Sequence, residues 1–185
     1  KKTILIVGGS LGARTINNCV MEGLDKIKAS GAQFIWQTGK IYIGEARAAV
    51  AQAGELPMLH VTDFISDMAA AYSAADLIIS RAGAGSISEF CLLQKPVILV
   101  PSPNVAEDHQ TKNALALVNK NAALYIKDAA AKEALLDKAV ETVKQPETLK
   151  KLSTNIAKLA FKDSANTIAE EVWKLALKYR ENHEH

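Results

Sequence analysis

The sequence is short of cysteine, aromatic residues, net charge and long hydrophobic runs, and each shortage removes a class of protein. Its two cysteines, Cys19 and Cys91, have no C-x-x-C partner. That argues against a disulfide scaffold and for buried free thiols in a reducing compartment. A formal charge of +2 and an aromatic content of 5%, with basic residues scattered along presumptive helices, give no basic surface interleaved with aromatics. Nucleic acid is not an expected partner. The apolar run from Pro96 to Pro101 is far below the ~18–20 residues of a membrane-spanning helix. The start K-K-T-I-L-I-V-G-G does not read as a signal peptide, because it runs directly into an expected core strand. That beginning reads as a fragment, or as a mature chain whose first strand is its terminus.

What is present is an ordinary globular composition: 185 residues, 49% hydrophobic and mean hydropathy +0.03, enough for one sizeable core. Apolar strand-like runs at 3–7, 33–37, 58–61, 76–80, 96–100 and 122–126 alternate with helical spacing at 13–29, 42–53, 65–74, from about 84, and at 109–119, 131–144, 147–160 and 164–179. Pro146 suits the first turn of a helix. About six apolar strands separated by helices predict βαβ crossovers and a parallel sheet covered on both faces. The expected class is therefore α/β, a doubly wound Rossmann-like domain with additional C-terminal helices. No fixed-period repeat or low-complexity linker divides it. Residues 1–163 form the expected nucleotide-binding body, and 164–185 a final helix and frayed tail of the same domain.

In such sheets ligands sit beyond the carboxyl ends of the strands, so the loops there are the candidates. Gly8-Gly9-Ser10-Leu11-Gly12-Ala13 lets backbone amides approach an anion at a helix start, with Ser10 adding a hydroxyl. It matches neither G-x-G-x-x-G nor G-x-x-x-x-G-K-[ST], and the second strand ends in Gln37-Thr38-Gly39 without the acid that would hold a dinucleotide ribose. A glycine turn capped by Ser10 accounts for the same residues. Arg81-Ala82-Gly83-Ala84-Gly85-Ser86 repeats the pattern before a second helix. Glu89 follows Ser86 at capping-box spacing, so it is read either as a cap or as an acceptor for a ribose diol. Thr62-Asp63-Phe64-Ile65 is a further loop of the same edge. The long polar loop P-S-P-N-V-A-E-D-H-Q-T-K-N-A reads as functional. Glu107, Asp108 and His109 are consecutive and have no D-x-D companion, while His183 and His185 lie in the tail, so no metal is expected.

Taken together, G-G-S-L-G-A-R, F-I-S-D-M-A-A-A-Y-S-A-A-D-L-I-I-S-R-A-G-A-G-S-I-S-E and P-S-P-N-V-A-E-D-H-Q-T-K-N-A, in that order, resemble the C-terminal half of the MurG family, the bacterial peptidoglycan N-acetylglucosaminyltransferases. The resemblance runs over essentially the whole chain. It implies one half of a GT-B inverting glycosyltransferase that moves N-acetylglucosamine from UDP-N-acetylglucosamine to undecaprenyl-diphosphate-muramoyl-pentapeptide, converting lipid I to lipid II. It further implies that Ser10 contacts the donor diphosphate and that Ile65 and Met68 border the uracil. Ala84, Gly85 and Ser86, continued by Ile87 and Ser88, would present the helix start to phosphate and sugar. Glu89 would hold the ribose hydroxyls, and Gln110 with His109 would read hydroxyls of the sugar. Gly85 and His109 stand where other members carry a larger residue and a glutamine.

The acceptor half of such an enzyme, with its general base, has no counterpart here, so no catalytic residue is assigned. The implied partners are UDP-N-acetylglucosamine and, through the missing N-terminal domain, lipid I, with no cofactor. The implied location is peripheral, on the cytoplasmic side of the bacterial inner membrane. Two alternatives stay open: a donor-binding subunit of a split dolichol-type transferase, and a non-catalytic nucleotide-binding module.

Overall fold

A computed structural model describes residues 1–8, 12–104 and 109–161. Ser10, Glu107 and Asp108 lie outside the described residues, as does the whole of 164–185 with its expected helix, including Ile168, Val172, Trp173, Leu175, Ala176 and Tyr179.

The strands are β1 (Thr3–Val7), β2 (Gln33–Gln37), β3 (Leu59–Thr62), β4 (Leu77–Ser80), β5 (Val97–Leu99) and β6 (Leu124–Tyr125). They form one sheet in the order β3-β2-β1-β4-β5-β6, every neighbouring pair parallel. The helices are α1 (Arg14–Glu22), α2 (Leu24–Ala29), α3 (Ile43–Ala53), α4 (Met68–Ala74), α5 (Ala84–Leu93), α6 (His109–Val118), α7 (Ala131–Val143) and α8 (Pro146–Phe161).

All five residues of β1 are buried, which is why its sequence is an unbroken apolar run rather than an alternating one. Successive side chains take opposite faces. Ile4, Ile6, Leu77, Ile79 and Ile98 join Ile16 and Val20 of α1, Ile27 of α2 and Leu135 of α7. Leu5, Ile78, Val97 and Leu99 join Ile87 and Phe90 of α5, Leu117 of α6 and Ile156 of α8. Each such fully buried aliphatic side chain contributes about 1.5–3 kcal/mol of transfer free energy.

From β1 the chain steps outward through β2 to β3, then crosses back and steps outward the other way through β4, β5 and β6. Right-handed crossovers in opposite directions place their helices on opposite faces. The loops leaving β1 and β4 therefore diverge and open a crevice at the carboxyl edge. At the amino edge the same two segments are tied together: Thr3 N donates to Asp76 Oδ2 at 2.8 Å, and Asp76 N to Thr3 O at 2.8 Å.

Some boundaries move for local reasons. The helix expected over 13–29 is two helices divided at Gly23, where a Cβ would stand 2.2 Å from Leu136 Cδ1 of α7. The helix expected from Ile65 starts at Met68, because Asp67 is its cap and accepts from Ala70 N at 3.0 Å. Cys19 and Cys91 are free and buried as expected. Burial raises the Cys19 thiol to about 11 and the Cys91 thiol to about 12. Among the described residues no helix is long and apolar enough to cross a membrane.

Candidate functional site

The first wall of the crevice is formed by the end of β1 and the start of α1, with Gly8 and Gly12 between them. A Cβ on Gly8 would lie 2.6 Å from Ala13 N, and Gly12 holds φ +82 with its missing Cβ 2.3 Å from Thr38 O. Glycine is needed at both places, at Gly8 for close approach and at Gly12 for its left-handed backbone as well. Asn17 ties α1 to the end of β2. Its Nδ2 donates to Thr38 O at 2.9 Å, and its Oδ1 accepts from Trp36 Nε1 at 2.9 Å. The ladder of α1 opens with Asn17 N donating to Ala13 O at 2.9 Å, so the amides of Arg14, Thr15 and Ile16 precede it.

The second wall is the head of α5. Gly83 is its N-cap with no side-chain cap, and Ile87 N donates to Gly83 O at 3.0 Å. The amides of Ala84, Gly85 and Ser86 thus stand ahead of the helical ladder. Among the described residues, a Cβ on Gly83 or Gly85 would meet nothing within 4 Å, so the space they leave beside these backbones is open. Ser86 is the third residue of the helix rather than its cap, and the S-x-x-E spacing falls inside α5. The capping-box reading of Glu89 is therefore overturned. Ile87 is fully buried in the core, with its amide committed to Gly83. Ser88 is buried too, and its Oγ has no hydrogen-bond partner among the described residues. Glu89 is exposed. Tyr72 of α4 reaches it, and burial first, then the Glu89 charge and hydrogen bond, push the Tyr72 phenol well above its ordinary range.

The third wall is the head of α6. Gln110 is buried, and its Oε1 accepts from Ala82 N at 3.2 Å and Ser102 N at 3.0 Å. Asn113, one turn on, donates from Nδ2 to Ala82 O at 3.2 Å. Both backbone groups of Ala82 are thereby satisfied from α6. His109 is exposed beside them. Ile65 and Met68 pack against the second core from the β3 end, and Ile65 N donates to Gln37 Oε1 at 3.3 Å. Gln37, which stands where a dinucleotide site would place its acid, thus braces the loop carrying Ile65.

The structure also assembles a group that the sequence did not single out. Arg81 Nη1 meets Asp128 Oδ1 at 2.6 Å, and it donates to Val100 O and Pro101 O, each at 3.2 Å. Asp128 Oδ2 accepts from Thr15 Oγ1 of α1 at 2.9 Å. No spacing rule joins positions 15, 81 and 128; only the strand order does. Among the described residues no group of three His, Cys, Asp or Glu side chains could hold a metal ion.

The chain is similar to known proteins over nearly its whole length. The UDP-N-acetylglucosamine--N-acetylmuramyl-(pentapeptide) pyrophosphoryl-undecaprenol N-acetylglucosamine transferase of Phocaeicola vulgatus is 97% identical over 180 residues, covering 97% of this chain and 48% of that protein. The transferase of the same name from Bacteroides fragilis is 70% identical over 177 residues, covering 95% and 47%. The chain thus spans about half the length of the curated relatives it matches. Among solved structures, Acinetobacter baumannii MurG superimposes with a TM-score of 0.74 at 30% identity, over 94% of this chain and 52% of that one. The six-stranded parallel sheet is the Rossmann-like C-terminal half of a GT-B fold. The model of the glycosyltransferase family 28 C-terminal domain matches residues 3–168, and the chain belongs to that family.

Proposed function

We propose that this chain is the donor-binding half of the transferase that moves N-acetylglucosamine from UDP-N-acetylglucosamine to undecaprenyl-diphosphate-muramoyl-pentapeptide, making lipid II from lipid I. The observation that carries the reading is the space beside Gly83 and Gly85 that the described residues leave open, at a helix head in the switch-point crevice, with an exposed carboxylate further along the same helix. Three amides at a helix start and the positive end of its dipole suit a diphosphate. In this reading Ser10 and the amides of Ala84, Gly85 and Ser86 meet phosphate and sugar. Ile65 and Met68 border the uracil, Glu89 accepts from the ribose hydroxyls, and His109 and Gln110 face the sugar. Ile87 and Ser88 contribute by shaping the helix behind the loop.

The reaction is direct displacement at the anomeric carbon. A base in the other half of the full-length protein takes the proton of the acceptor hydroxyl. The helix heads stabilise the departing UDP by hydrogen bonding and dipole, and no metal ion or other cofactor is required. The full-length protein works peripherally, on the cytoplasmic face of the inner membrane, where its acceptor lies.

A heteronuclear NMR titration with UDP, UDP-glucose and UDP-N-acetylglucosamine, repeated with a chelator, tests this. Shifts at Ala84, Gly85, Ser86 and Glu89, strongest for UDP-N-acetylglucosamine and unchanged by the chelator, are expected. Silence at those residues refutes the site, and chelator sensitivity refutes the metal-free reading. The chain alone should not turn over lipid I; turnover would place the base within it.

A further inference from the structure

We propose that Arg81, acting through Asp128 and Thr15, is a positioning residue that sets the heads of α1 and α5 in one arrangement for a single diphosphate. The inference rests on the donor-site reading above. Arg81 leaves the end of β4, two residues before the cap of α5. Its one nitrogen Nη1 is within hydrogen-bond distance of Val100 O and Pro101 O, at the end of β5, and of Asp128 Oδ1, in the 3-10 turn Asp128–Ala130 after β6. Asp128 then passes the connection to Thr15, in the first turn of α1, at 2.9 Å. The carboxyl ends of β4, β5 and β6 and the first turn of α1 are thus joined through one ion pair. Both partners are largely shielded, with side-chain exposures of 19% and 18%, so solvent screens the contact only in part.

Three features give the pair a positioning role. Its members lie on separate segments that the fold brings together only at the ligand edge. The two helix heads it joins, those of α1 and α5, are both walls of the crevice and both begin with amides ahead of the helical ladder. Finally, the carboxylate at α1 is matched by the guanidinium, so Asp128 does not present an uncompensated negative charge beside the place where a diphosphate docks. A diphosphate bridging two helix heads needs both at fixed separation, whereas a nucleoside lacking the phosphates does not.

Thr15→Val removes the hydroxyl that links Asp128 to α1 and leaves the Arg81–Asp128 pair whole; Thr15→Ser keeps the hydroxyl. Calorimetric titration of UDP and of uridine into the wild-type chain and both variants is the test, with amide hydrogen exchange measured without ligand. Thr15→Val is expected to weaken UDP by about tenfold, the order of one charge-assisted hydrogen bond, and to leave uridine within about twofold. Thr15→Ser restores UDP affinity, and Ile87 N, the first bonded amide of α5, exchanges faster in Thr15→Val only. Unchanged UDP affinity in Thr15→Val, or equal weakening of UDP and uridine, overturns the proposal, since a purely structural contact would affect both ligands alike. Absence of UDP binding by the wild type overturns the donor-site reading instead; unchanged exchange at Ile87 in Thr15→Val then overturns the coupling as well.

Discussion

Replacing Glu89 by glutamine separates a ligand-binding acid from a helix-stabilising one. Glu89 is the sixth residue of α5, past the first turn where a negative charge meets the free amides and the positive end of the dipole. A true cap would cost about 1 kcal/mol on removal. Here the side chain is exposed and its partner is Tyr72, so Glu89→Gln is expected to change stability by no more than about 0.5 kcal/mol. Binding should respond quite differently. A carboxylate accepting from ribose hydroxyls contributes about 1.5–3 kcal/mol per bond, and glutamine keeps only one of its two acceptor oxygens. UDP and uridine should both weaken by about 10- to 150-fold, in contrast to Thr15→Val, which should spare uridine. Calorimetric titration with both ligands, together with thermal unfolding, gives the two quantities. A spectrophotometric titration supplies a check that needs no ligand: with the charge removed, the Tyr72 phenol titrates lower than in the wild type, though burial still holds it above its ordinary range. Unchanged affinity for both ligands, or a large stability loss with affinity intact, refutes the assignment.

Other expectations concern the frame. Gly12→Ala forces a side chain into φ +82 and against Thr38 O, so it should cost about 2 kcal/mol or more in urea unfolding. Gly85→Ala, at an unstrained and open helix position, should be neutral or stabilising by up to about 1 kcal/mol. Asn17→Ala leaves Trp36 Nε1 and Thr38 O buried without their partner, and a loss of about 3 kcal/mol in the same assay is expected. The thiols set an alkaline limit. Unfolded cysteine ionises near 9.0, whereas folded Cys19 and Cys91 hold their protons to about 11 and about 12. The folded state therefore binds more protons above pH 9, and stability should fall progressively from pH 9 towards 12 while being unaffected by these groups below 9. Urea midpoints at pH 8 and 10.5 measure this; a midpoint that rises with pH contradicts it.

Much of the fold could be read from the sequence because buried parallel strands are continuous apolar runs and their helices are amphipathic. Strands 3–7 and 33–37 were legible to the residue for that reason. The division at Gly23 was not, since the spacing of apolar residues continues across it, and nothing in that spacing shows that the Leu136 side chain of α7 takes the place of a Cβ there. Within the site, the helix head at Gly83 to Ser86 was legible from its small residues. The Ser86–Glu89 spacing pointed equally to a cap, and the structure removed that alternative by starting α5 two residues before Ser86. Gln110 was visible as a polar residue of a loop-to-helix junction, but not the use of its Oε1 to hold Ala82 and Ser102. The Arg81, Asp128 and Thr15 group was invisible, because its members are joined by topology and by no local motif.

The tie between Thr3 and Asp76 also bears on how the chain becomes folded. The pair is separated by 73 residues, and it closes the central strand against β4 rather than against its neighbour in sequence. Closing so long a loop costs entropy before any contact repays it, and parallel pairings of this kind are slow to form. During synthesis β1, α1, β2 and β3 leave the ribosome before β4, with one flank of β1 still unpaired. The middle of the sheet, and with it the crevice between the two helix heads, is completed only when residues near 80 emerge. Until then an apolar strand edge stands open to association with other chains, and the binding site and protection from aggregation arrive in the same step.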